Sequence, residues 1–596
     1  MDLRIPAIAA SAADQAAVDA VLGTRPTRDL LLPALHAVQR SSGWISPGAL
    51  AHICERLTVP PAEAYGVATF YALFATEARP PVVAHVCDDL ACRLVGAESI
   101  ISELVSLGAS TEGWTWKRSP CLGLCERGPA ALLQRAGTGA QDAALTGVTA
   151  ASIARSALAG ADDAAPPSSD PALLRASVPQ IGQPGLRLLR RVGVVDPTSC
   201  DAYRAQGGFA ALRRALDLGP EAVIGEIKES RIVGRGGAAF PMGLKWEAVA
   251  RATALPHYVI CNADESEPGT FKDRILMEED PFALVEAVTI AGLATGAELG
   301  YLYIRGEYPL ALSRVRGAIV EARGQGMLGA SVMGSGRRFD LEVREGAGAY
   351  ICGEQTALIN SIEGKRGEPR NKPPFPTTHG LFSKPTDVNN VETLLNVLDI
   401  VLEGGAAFAA RGTAGSTGTK LFCVSGSVQR PGLYEVPFGT TLQELLDLSG
   451  GVGKGRDLRA VLLGGAAGTF LRPDETAVPL TFEGTRAIGA ALGSGAVLVF
   501  DDRVDLRGVL LRIAAFFRDE SCGQCVPCRI GTVRQEESLR SLAAGDPATA
   551  GAHTSRLDEL ARVMRDASIC GLGQTASSAV QSALLKLGVF ATPRLP

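Results

Sequence analysis

The run HYVICNA at residues 257–263 and the run LGYLYIRGE at residues 299–307 decide the fold class of the largest segment of this chain. Both runs are short and rich in aromatic and β-branched residues, which is typical of β-strands. Helical patterns lie between and around them, and strands that alternate with helices indicate a layered α/β domain. We therefore predict an α/β domain over residues 184–410.

The segments on either side of this domain predict further modules. Residues 1–160 combine short helices with a small α/β pattern, and residues 161–183, rich in Ala, Pro, Ser and Asp, predict a linker. Residues 411–505 contain short apolar runs between Gly-rich turns and predict a small α+β domain, whereas residues 506–596 are helical apart from a cysteine cluster. A chain of 596 residues is long enough for several such modules.

The composition narrows the class of protein. With 46% hydrophobic residues, 20% charged residues and a net charge of −5, the chain is neither wholly disordered nor suited to nucleic-acid binding. Because it has no uncharged apolar stretch of about 18 residues, we predict no membrane insertion. Asp14 and Asp19 interrupt the apolar N-terminus, so we interpret it as a helix rather than a signal peptide and expect a cytoplasmic protein.

Cysteine is the abundant metal-binding residue type, with 13 cysteines against six histidines. A chain of this size needs no disulfide framework, so we expect reduced thiols and sulfur-based metal chemistry. The C-x2-C-x2-C motif of Cys522, Cys525 and Cys528, closed by the distant Cys570, favours a [4Fe–4S] cluster. Zinc is the weaker alternative, because four zinc-binding cysteines usually come as two pairs.

A second cysteine set consists of two pairs, Cys87 with Cys92 and Cys121 with Cys125. Two pairs suit a [2Fe–2S] cluster, in which each pair holds one iron. They suit a zinc site equally well, because zinc ribbons use paired spacing. Spacing alone therefore leaves the two metals open. The other five cysteines are scattered singly, and we predict that most of them are buried: Cys54, Cys200, Cys261, Cys352 and Cys423.

A glycine-rich run, RIVGRGGAAFPMGLKW at residues 231–246, contains the formal dinucleotide fingerprint G-x-G-x-x-A. The segment before it is helical, whereas the fingerprint must follow a strand, so we demote that interpretation. A glycine loop beside Arg235 and Lys245 suits a phosphate, because backbone N–H groups can approach it closely. A plain tight turn is the alternative.

Two further segments carry candidate chemistry. The run NADESEPGTFKDR at residues 262–274 concentrates Asp264, Glu265 and Glu267, which fits either acid–base chemistry or a solvated loop. The run GAGAYICGEQTAL at residues 346–358 leads toward Lys372 and the pair Asn389 and Asn390. Together with the glycine loop, these segments predict one large ligand with phosphate, ribose and ring parts.

In its motifs the chain closely resembles the flavin-containing NADH dehydrogenase module of respiratory complex I and related soluble enzymes. The matching runs, in order, are GRGGAAFP, CNADESEPGTFKDR, GAGAYICGEQTAL, KPPFP, VNNVET and ESCGQCVPC. Residues 1–160 resemble the smaller partner subunit of that module, through LLPALHAVQRSSGWI, YGVATFY and the paired cysteines. The resemblance covers nearly the whole chain except the linker and decides the metal of the paired cysteines in favour of [2Fe–2S].

The resemblance implies a function for each module. Residues 1–160 would form a thioredoxin-like [2Fe–2S] domain, and residues 184–410 a Rossmann-like domain that binds FMN and NADH. Residues 411–505 would form a ubiquitin-like SLBB domain of the β-grasp type, and residues 506–596 a helical bundle that holds the [4Fe–4S] cluster. Hydride would pass between the nicotinamide and the flavin, and single electrons between the flavin and the clusters.

The resemblance also assigns site residues. Those expected to hold the phosphate region of FMN are Gly234, Arg235, Gly236 and Lys245. Those expected to contact the flavin are Asn262, Asp264, Tyr350, Gly353, Asn389 and Asn390. Those expected to line the NAD(H) site are Phe240, Glu265, Glu267, Glu354, Gln355, Lys372 and Phe375, with Glu354 also counted as cofactor-binding. Glu265 and Tyr350 are the residues assigned to catalysis.

Gln355 departs from the family pattern, in which a second glutamate commonly follows the position of Glu354. In the family that acidic group lies near the adenosine ribose, where its charge would repel a 2′-phosphate. We therefore predict that Gln355 relaxes the preference for NAD over NADP.

The resemblance leaves several enzymes that this module could serve. It occurs in complex I, in NAD-reducing hydrogenases and in molybdenum- or tungsten-dependent formate dehydrogenases. The chain has no site for hydrogen or formate, so we expect a large catalytic partner subunit with further iron–sulfur clusters. The fused subunits and the complete N-terminal cysteine set favour the β subunit of an NAD-dependent formate dehydrogenase. A hydrogenase diaphorase subunit and a complex I subunit are the alternatives.

Overall fold

The computed structural model describes residues 9–24, 26–108, 113–159, 170–545 and 547–590. Within these residues the strands form three sheets, of four, five and four strands, and helices cover or join them. This arrangement confirms the predicted mixed α/β and α+β multidomain fold.

The N-terminal part places helices before a small sheet. Its elements are α1 (Ala12–Leu22), α2 (Leu31–Ser42), α3 (Pro47–Leu57), α4 (Pro61–Ala68), β1 (Val82–Cys87), α5 (Leu90–Leu94), α6 (Ala97–Ser106), β2 (Trp114–Ser119), β3 (Ala130–Arg135), β4 (Asp142–Thr146) and α7 (Ala150–Leu158). The strand order is β2-β1-β3-β4, and β1 is parallel to β2 and antiparallel to β3. Side chains of β3 alternate between the faces. Ala131 and Leu133 pack with α6 and α7, whereas Ala130 and Leu132 pack with Cys87 and Cys92.

The predicted linker contains a helix, α8 (Pro171–Ser177), and residues 160–169 lie outside the described residues. Asp170 caps α8 by accepting a hydrogen bond from the Ala172 N–H at 2.8 Å. The Ser177 hydroxyl accepts a hydrogen bond from Arg127 at 2.5 Å, so α8 is tied to the N-terminal part. A helix of seven residues is too short to show the periodicity on which the prediction relied.

The central part builds a parallel sheet. Its elements are α9 (Cys200–Ala205), α10 (Ala210–Leu218), α11 (Pro220–Glu229), α12 (Met242–Ala250), β5 (His257–Ala263), α13 (Lys272–Glu279), α14 (Pro281–Thr295), β6 (Ala297–Ile304), α15 (Pro309–Gly324), β7 (Asp340–Glu345), α16 (Gln355–Ile362), α17 (Pro376–His379), β8 (Thr386–Asn390), α18 (Val391–Glu403) and α19 (Gly405–Ala409). The strand order is β7-β6-β5-β8, with every pairing parallel. The carboxyl ends of parallel strands form the edge where α/β domains bind ligands.

The next part is a separate five-stranded sheet. Its elements are β9 (Thr419–Gly426), β10 (Gly432–Pro437), α20 (Leu442–Leu448), β11 (Leu458–Leu463), β12 (Thr469–Leu471), α21 (Phe482–Ala487) and β13 (Ala496–Asp501). The strand order is β10-β9-β13-β11-β12, with only the β13–β9 pairing parallel. Helix α20 begins at a capping box in which Thr441 and Glu444 bond each other's backbone N–H groups.

The C-terminal part is helical, as predicted. Its helices are α22 (Leu506–Glu520), α23 (Val526–Ala544), α24 (Pro547–Ala567), α25 (Gly571–Thr575) and α26 (Ser578–Leu587). Across the described ranges, no helix combines the length and the apolar character that crossing a membrane requires.

Candidate active site and iron–sulfur centres

The glycine loop forms a closed turn after helix α11. The Gly234 N–H donates to the Phe240 carbonyl at 2.9 Å, which closes the loop at its base. A Cβ atom on Gly236 would lie 3.1 Å from Asn390 Cβ, and Gly237 has a φ of +115° that favours glycine. The loop therefore needs its glycines for a close approach to the end of β8. Because a helix precedes it, the demotion of the dinucleotide fingerprint is confirmed.

Arg235 anchors this loop from below. Its side chain is fully buried, donates to the Thr417 carbonyl at 2.6 Å and lies 4.6 Å from the centre of the Phe438 ring. Its backbone N–H donates to the Thr393 hydroxyl at 2.8 Å. These contacts join the loop to the five-stranded sheet domain. They are structural, and the predicted contact of Arg235 with a phosphate stays a prediction.

Lys245 and Phe240 line one side of the same edge. The Lys245 ammonium donates to the Val388 carbonyl at 3.0 Å and lies 5.8 Å from the centre of the Phe240 ring. Phe240 itself is 50% exposed, which leaves a ring face open for another planar group. Burial raises the pKa of the neighbouring Asp387 to about 7, and the Lys245 charge opposes that rise. This edge therefore offers a cation beside an exposed aromatic ring.

The end of β5 carries a buried polar atom that has no partner. Asn262 donates to the Gly353 carbonyl at 2.9 Å, and its side-chain oxygen accepts from the Asp264 N–H at 3.1 Å. Asp264 Oδ2 makes no hydrogen bond with any described residue, and burial raises the pKa of Asp264 well above its usual range. A Cβ atom on Gly353 would lie 3.7 Å from that oxygen. The geometry leaves room for a ligand that donates a hydrogen bond to Asp264.

Asn390 fixes the end of β8. Its side-chain oxygen caps α18 through the Glu392 N–H at 3.0 Å and also accepts from Lys272 at 3.3 Å. Its amide nitrogen donates to Asp273 at 2.7 Å. The neighbouring Asn389 donates to Asp387. Both predicted flavin-contacting asparagines are therefore held by protein groups, and the ring contact itself stays a prediction.

Glu265 caps a helix. Its two carboxylate oxygens accept from the backbone N–H groups of Asp273 at 3.0 Å and Arg274 at 2.9 Å, in the first turn of α13. The Tyr308 hydroxyl adds a third hydrogen bond at 3.2 Å. Burial raises the pKa of Glu265 to about 8, and the negative charge of Asp273 adds to the rise. These contacts are structural, and the catalytic assignment of Glu265 stays a prediction.

Glu267 and Tyr350 form a buried pair. The Tyr350 hydroxyl donates to Glu267 at 2.5 Å, and the Ala467 N–H donates to the other carboxylate oxygen at 2.9 Å. Burial raises the pKa of Glu267 to about 7, while the Tyr350 hydrogen bond opposes the rise. The Tyr350 N–H donates to Glu520 at 2.8 Å, so this pair contacts the end of α22.

The predicted NAD(H)-contacting residues on the third segment lie at the start of α16. Glu354 caps the helix through the Thr356 and Ala357 N–H groups at 2.8 and 3.0 Å. Its other oxygen pairs with Lys372 at 2.6 Å. Gln355 is the first residue of the helix and is half-buried. Phe375 is 56% exposed, so a second open ring face occurs in this region.

These residues fit an FMN-like ligand. Asp264 Oδ2 lacks a donor, the glycine loop leaves its backbone accessible, and Phe240 presents an open ring face. When bound, FMN supplies hydride and single-electron exchange, which amino-acid side chains alone do not provide. The chain's own residues would bind and orient the rings and position Glu267 and Tyr350 beside them.

The first cysteine set comes together. Cys87, Cys92, Cys121 and Cys125 are all buried and line one cavity of about 220 Å³. The Cys121 and Cys125 sulfurs are 3.3 Å apart. Hydrogen bonds with Cys121 and Cys92, together with burial, raise the pKa of the Cys87 thiol well above its usual range. The four thiols therefore form a single candidate metal centre.

The second cysteine set comes together at helix starts. Cys525 precedes α23, Cys528 lies in its first turn, and Cys570 precedes α25. Burial raises the pKa of the Cys528 thiol to about 12, with further contributions from the other three cysteines. A Cβ atom on Gly573 would lie 2.9 Å from Cys528 Cβ, so the close approach of α25 to α23 requires glycine there.

The five single cysteines are all buried, as predicted for most of them. Sequence reasoning missed residues that act across domains. Arg305, Arg274 and Tyr308 contact the first cysteine set or the segment beside it, and Glu520 contacts Tyr350. Only the RGE that ends the run at residues 299–307 hinted at them, because charged residues that follow a buried strand often lie at a ligand edge.

A parallel sheet with a glycine loop at its ligand edge and two four-cysteine centres defines an NAD-dependent flavoprotein oxidoreductase of the iron–sulfur type. Family models agree along the chain. The Nuo51 FMN-binding domain matches residues 227–399, and a thioredoxin-like [2Fe–2S] ferredoxin matches residues 19–148. An SLBB domain matches residues 421–468, and the NADH-ubiquinone oxidoreductase-F iron–sulfur binding region matches residues 508–587.

Known relatives identify the family. The chain is 45% identical over 399 residues to a flavoprotein-family subunit of the NADH-quinone oxidoreductase of Rhizobium meliloti, covering 67% of this chain and 94% of that protein. It is 43% identical to the HndC subunit of the NADP-reducing hydrogenase of Solidesulfovibrio fructosivorans, covering 66% of this chain and 80% of that protein. The chain therefore belongs to the family of the FMN-binding subunits of NADH-quinone oxidoreductases, here with the thioredoxin-like module in the same polypeptide.

A solved structure matches the whole arrangement. A chain of an NAD+-reducing [NiFe]-hydrogenase in the H2-reduced state superposes with a TM-score of 0.80 and 32% identity, covering 95% of this chain and 93% of that one. The predicted fused flavoprotein module, its fold and its cofactors FMN, [2Fe–2S] and [4Fe–4S] are confirmed. Zinc at the paired cysteines, left open by spacing, is thereby set aside.

Proposed function

We propose that this chain is the diaphorase subunit of a soluble, cytoplasmic NAD-dependent formate dehydrogenase. In this role it exchanges hydride with NAD(H) at FMN and single electrons with iron–sulfur clusters. A large molybdenum- or tungsten-containing partner subunit performs the formate chemistry. The observation that carries the proposal is the complete first cysteine set, fused in one chain to the flavin module.

The NAD(H) site lies at the edge between the glycine loop and the start of α16. Phe240 and Phe375 present the open ring faces, and Lys372 supplies a cation held by Glu354 at 2.6 Å. Glu267 and Tyr350 provide a carboxyl and a hydroxyl group from beneath. In this arrangement the protein needs no nucleophile, because its residues stack, orient and hydrogen-bond the reacting rings.

The partner subunit docks beside the [4Fe–4S] centre. Val526, Ile530 and Val533 are 58%, 48% and 37% exposed and lie on one face of α23, at helical spacing. The same helix carries Cys528, and Cys522 and Cys525 are only half-buried. An apolar stripe beside a partly exposed cluster site suits a protein that accepts single electrons at short range.

A hydrogenase diaphorase subunit is the second candidate. It is favoured by the similarity to the NAD+-reducing hydrogenase chain, which extends over 95% of this chain. The four buried N-terminal cysteines favour the formate enzyme, since hydrogenase versions of this module often lack them.

Purification of the native complex through a tag on this chain distinguishes the candidates. The proposal predicts a large co-purifying subunit with molybdenum or tungsten, together with formate-dependent reduction of NAD. Nickel in the complex and hydrogen-dependent reduction of NAD would instead identify the hydrogenase. A complex without molybdenum, tungsten or nickel that oxidises NADH with a quinone would identify the complex I alternative.

A further inference from the structure

We infer that Arg305 is a positioning residue that couples the [2Fe–2S] centre to the segment beside the flavin site. Arg305 directly follows β6 and is 2% exposed. It lies between two structures that the family treats as separate subunits, the cysteine loop of the N-terminal domain and the acidic segment after β5. The inference does not depend on which partner subunit the chain serves.

The guanidinium group of Arg305 bridges the two structures. One terminal nitrogen donates to the carbonyl of the cluster ligand Cys121 at 2.7 Å. The other donates to the carbonyl of Glu265 at 2.7 Å, in the segment that also carries Asp264 and Glu267. A planar group with a fixed fork transmits a displacement of one carbonyl to the other.

Neighbouring contacts hold the bridge in register. Arg274 donates to the Gly123 carbonyl at 2.9 Å and pairs with Glu126 at 2.5 Å, so the cysteine loop is bound at a second point. A Cβ atom on Gly123 would lie 2.0 Å from the Tyr308 hydroxyl, which leaves no space for another residue type. The same hydroxyl donates to the Glu265 carbonyl at 3.3 Å. Tyr308 therefore supports the carbonyl that Arg305 binds.

The charge of Arg305 bears on the cluster. A positive charge close to a cluster ligand favours the state that carries one more electron, and so raises the midpoint potential. The counter-charge is Glu307, whose carboxylate lies 2.8 Å from the same guanidinium nitrogen that binds Cys121. Because the pair is buried, water screens neither charge well. Removal of either charge should therefore shift the potential, and in opposite directions.

An EPR-monitored redox titration of the full-length holoprotein tests the inference, with the [4Fe–4S] centre as internal reference. We expect Arg305→Gln to lower the midpoint potential of the [2Fe–2S] centre and Glu307→Gln to raise it, with the [4Fe–4S] potential unchanged. Glu298→Gln, which removes an exposed charge from β6, is the matched control and should shift neither. Unchanged [2Fe–2S] potentials in both test variants would overturn the inference.

Two further variants separate charge from geometry. Arg305→Lys keeps the charge but cannot form the fork, so we expect the [2Fe–2S] potential to return toward that of the natural protein while the KM for NADH rises. A shift in Arg305→Lys as large as in Arg305→Gln would contradict the role of the charge. If Arg305→Gln does not assemble its cluster, Glu307→Gln alone decides: a raised potential supports the coupling, and an unchanged one overturns it.

Discussion

The hydroxyl group of Tyr350 donates a hydrogen bond to the carboxylate of Glu267 at 2.5 Å. The other carboxylate oxygen of Glu267 is bound by the Ala467 N–H at 2.9 Å, in the five-stranded sheet domain. The Tyr350 ring packs on Phe516 of α22, with ring centres 5.0 Å apart. This pair is therefore the point where the FMN-binding domain, the SLBB domain and the [4Fe–4S] domain meet.

Replacement of Tyr350 by Phe removes this hydrogen bond and keeps the ring packing. A hydrogen bond to a charged group contributes about 1.5–3 kcal/mol, so we expect kcat/KM for NADH oxidation by ferricyanide to fall about tenfold. Because the Tyr350 hydrogen bond lowers the pKa of Glu267, any inflection near pH 7 should move to higher pH. Tyr65→Phe, at a tyrosine that is 54% exposed, is the control and should change neither quantity. Equal rates in the two variants would contradict the role of Tyr350.

Glu267 should make the stability of the protein depend on pH. Its pKa is raised from 4.5 to about 7, so between these values the native state holds a proton that the unfolded state has lost. Native stability from this group is therefore present at low pH and lost as pH rises through 7. We expect Glu267→Gln to gain about 1–3 kcal/mol relative to the natural protein between pH 5 and pH 8. Urea unfolding at both pH values measures this change, and a constant difference would contradict it.

Gly573 should be necessary for assembly of the [4Fe–4S] centre. In Gly573→Ala the new Cβ would lie 2.4 Å from Ser568 Oγ and 2.9 Å from Cys528 Cβ, so α25 must move away from the cysteine motif. We expect a large loss of the [4Fe–4S] EPR signal, with the [2Fe–2S] signal retained. Gly571→Ala is the matched control, because a Cβ there meets nothing within 4 Å. A full [4Fe–4S] signal in Gly573→Ala would show that the contact is not limiting.

Gln355 should set the nucleotide preference. A carboxylate at this position would repel the 2′-phosphate of NADPH, whereas an amide does not. In Gln355→Glu we expect the ratio of kcat/KM for NADPH to that for NADH to fall by about tenfold, with NADH oxidation largely retained. Steady-state kinetics with both nucleotides gives this ratio. If it does not change, the charge at position 355 does not discriminate between them.

The parts of the molecule that could be predicted from sequence are those with local signals. The β-rich runs predicted the parallel sheet, because buried parallel strands are short and apolar wherever they occur. The cysteine spacings predicted two separate centres, since ligands of one cluster must lie close together. Helix α20 was predicted from the same local pattern that its capping box completes.

The parts that could not be predicted depend on contacts between distant segments. The carboxylate of Glu265 was assigned to catalysis from its motif, yet it caps α13, because its oxygens lie beside the N–H groups of Asp273 and Arg274. Arg305 gave no signal for its contact with Cys121, since the two residues are 184 positions apart in sequence. Such pairings depend on how the domains pack, which periodicity and spacing do not encode.

Anaerobic addition of NADH to the purified holoprotein tests the central claim most directly, because it asks whether one chain carries electrons from NADH to its clusters. The account predicts that NADH bleaches the flavin absorbance and elicits the EPR signal of the reduced [4Fe–4S] centre without any partner subunit. A protein that contains FMN and both clusters, and that dithionite reduces but NADH does not, would contradict it.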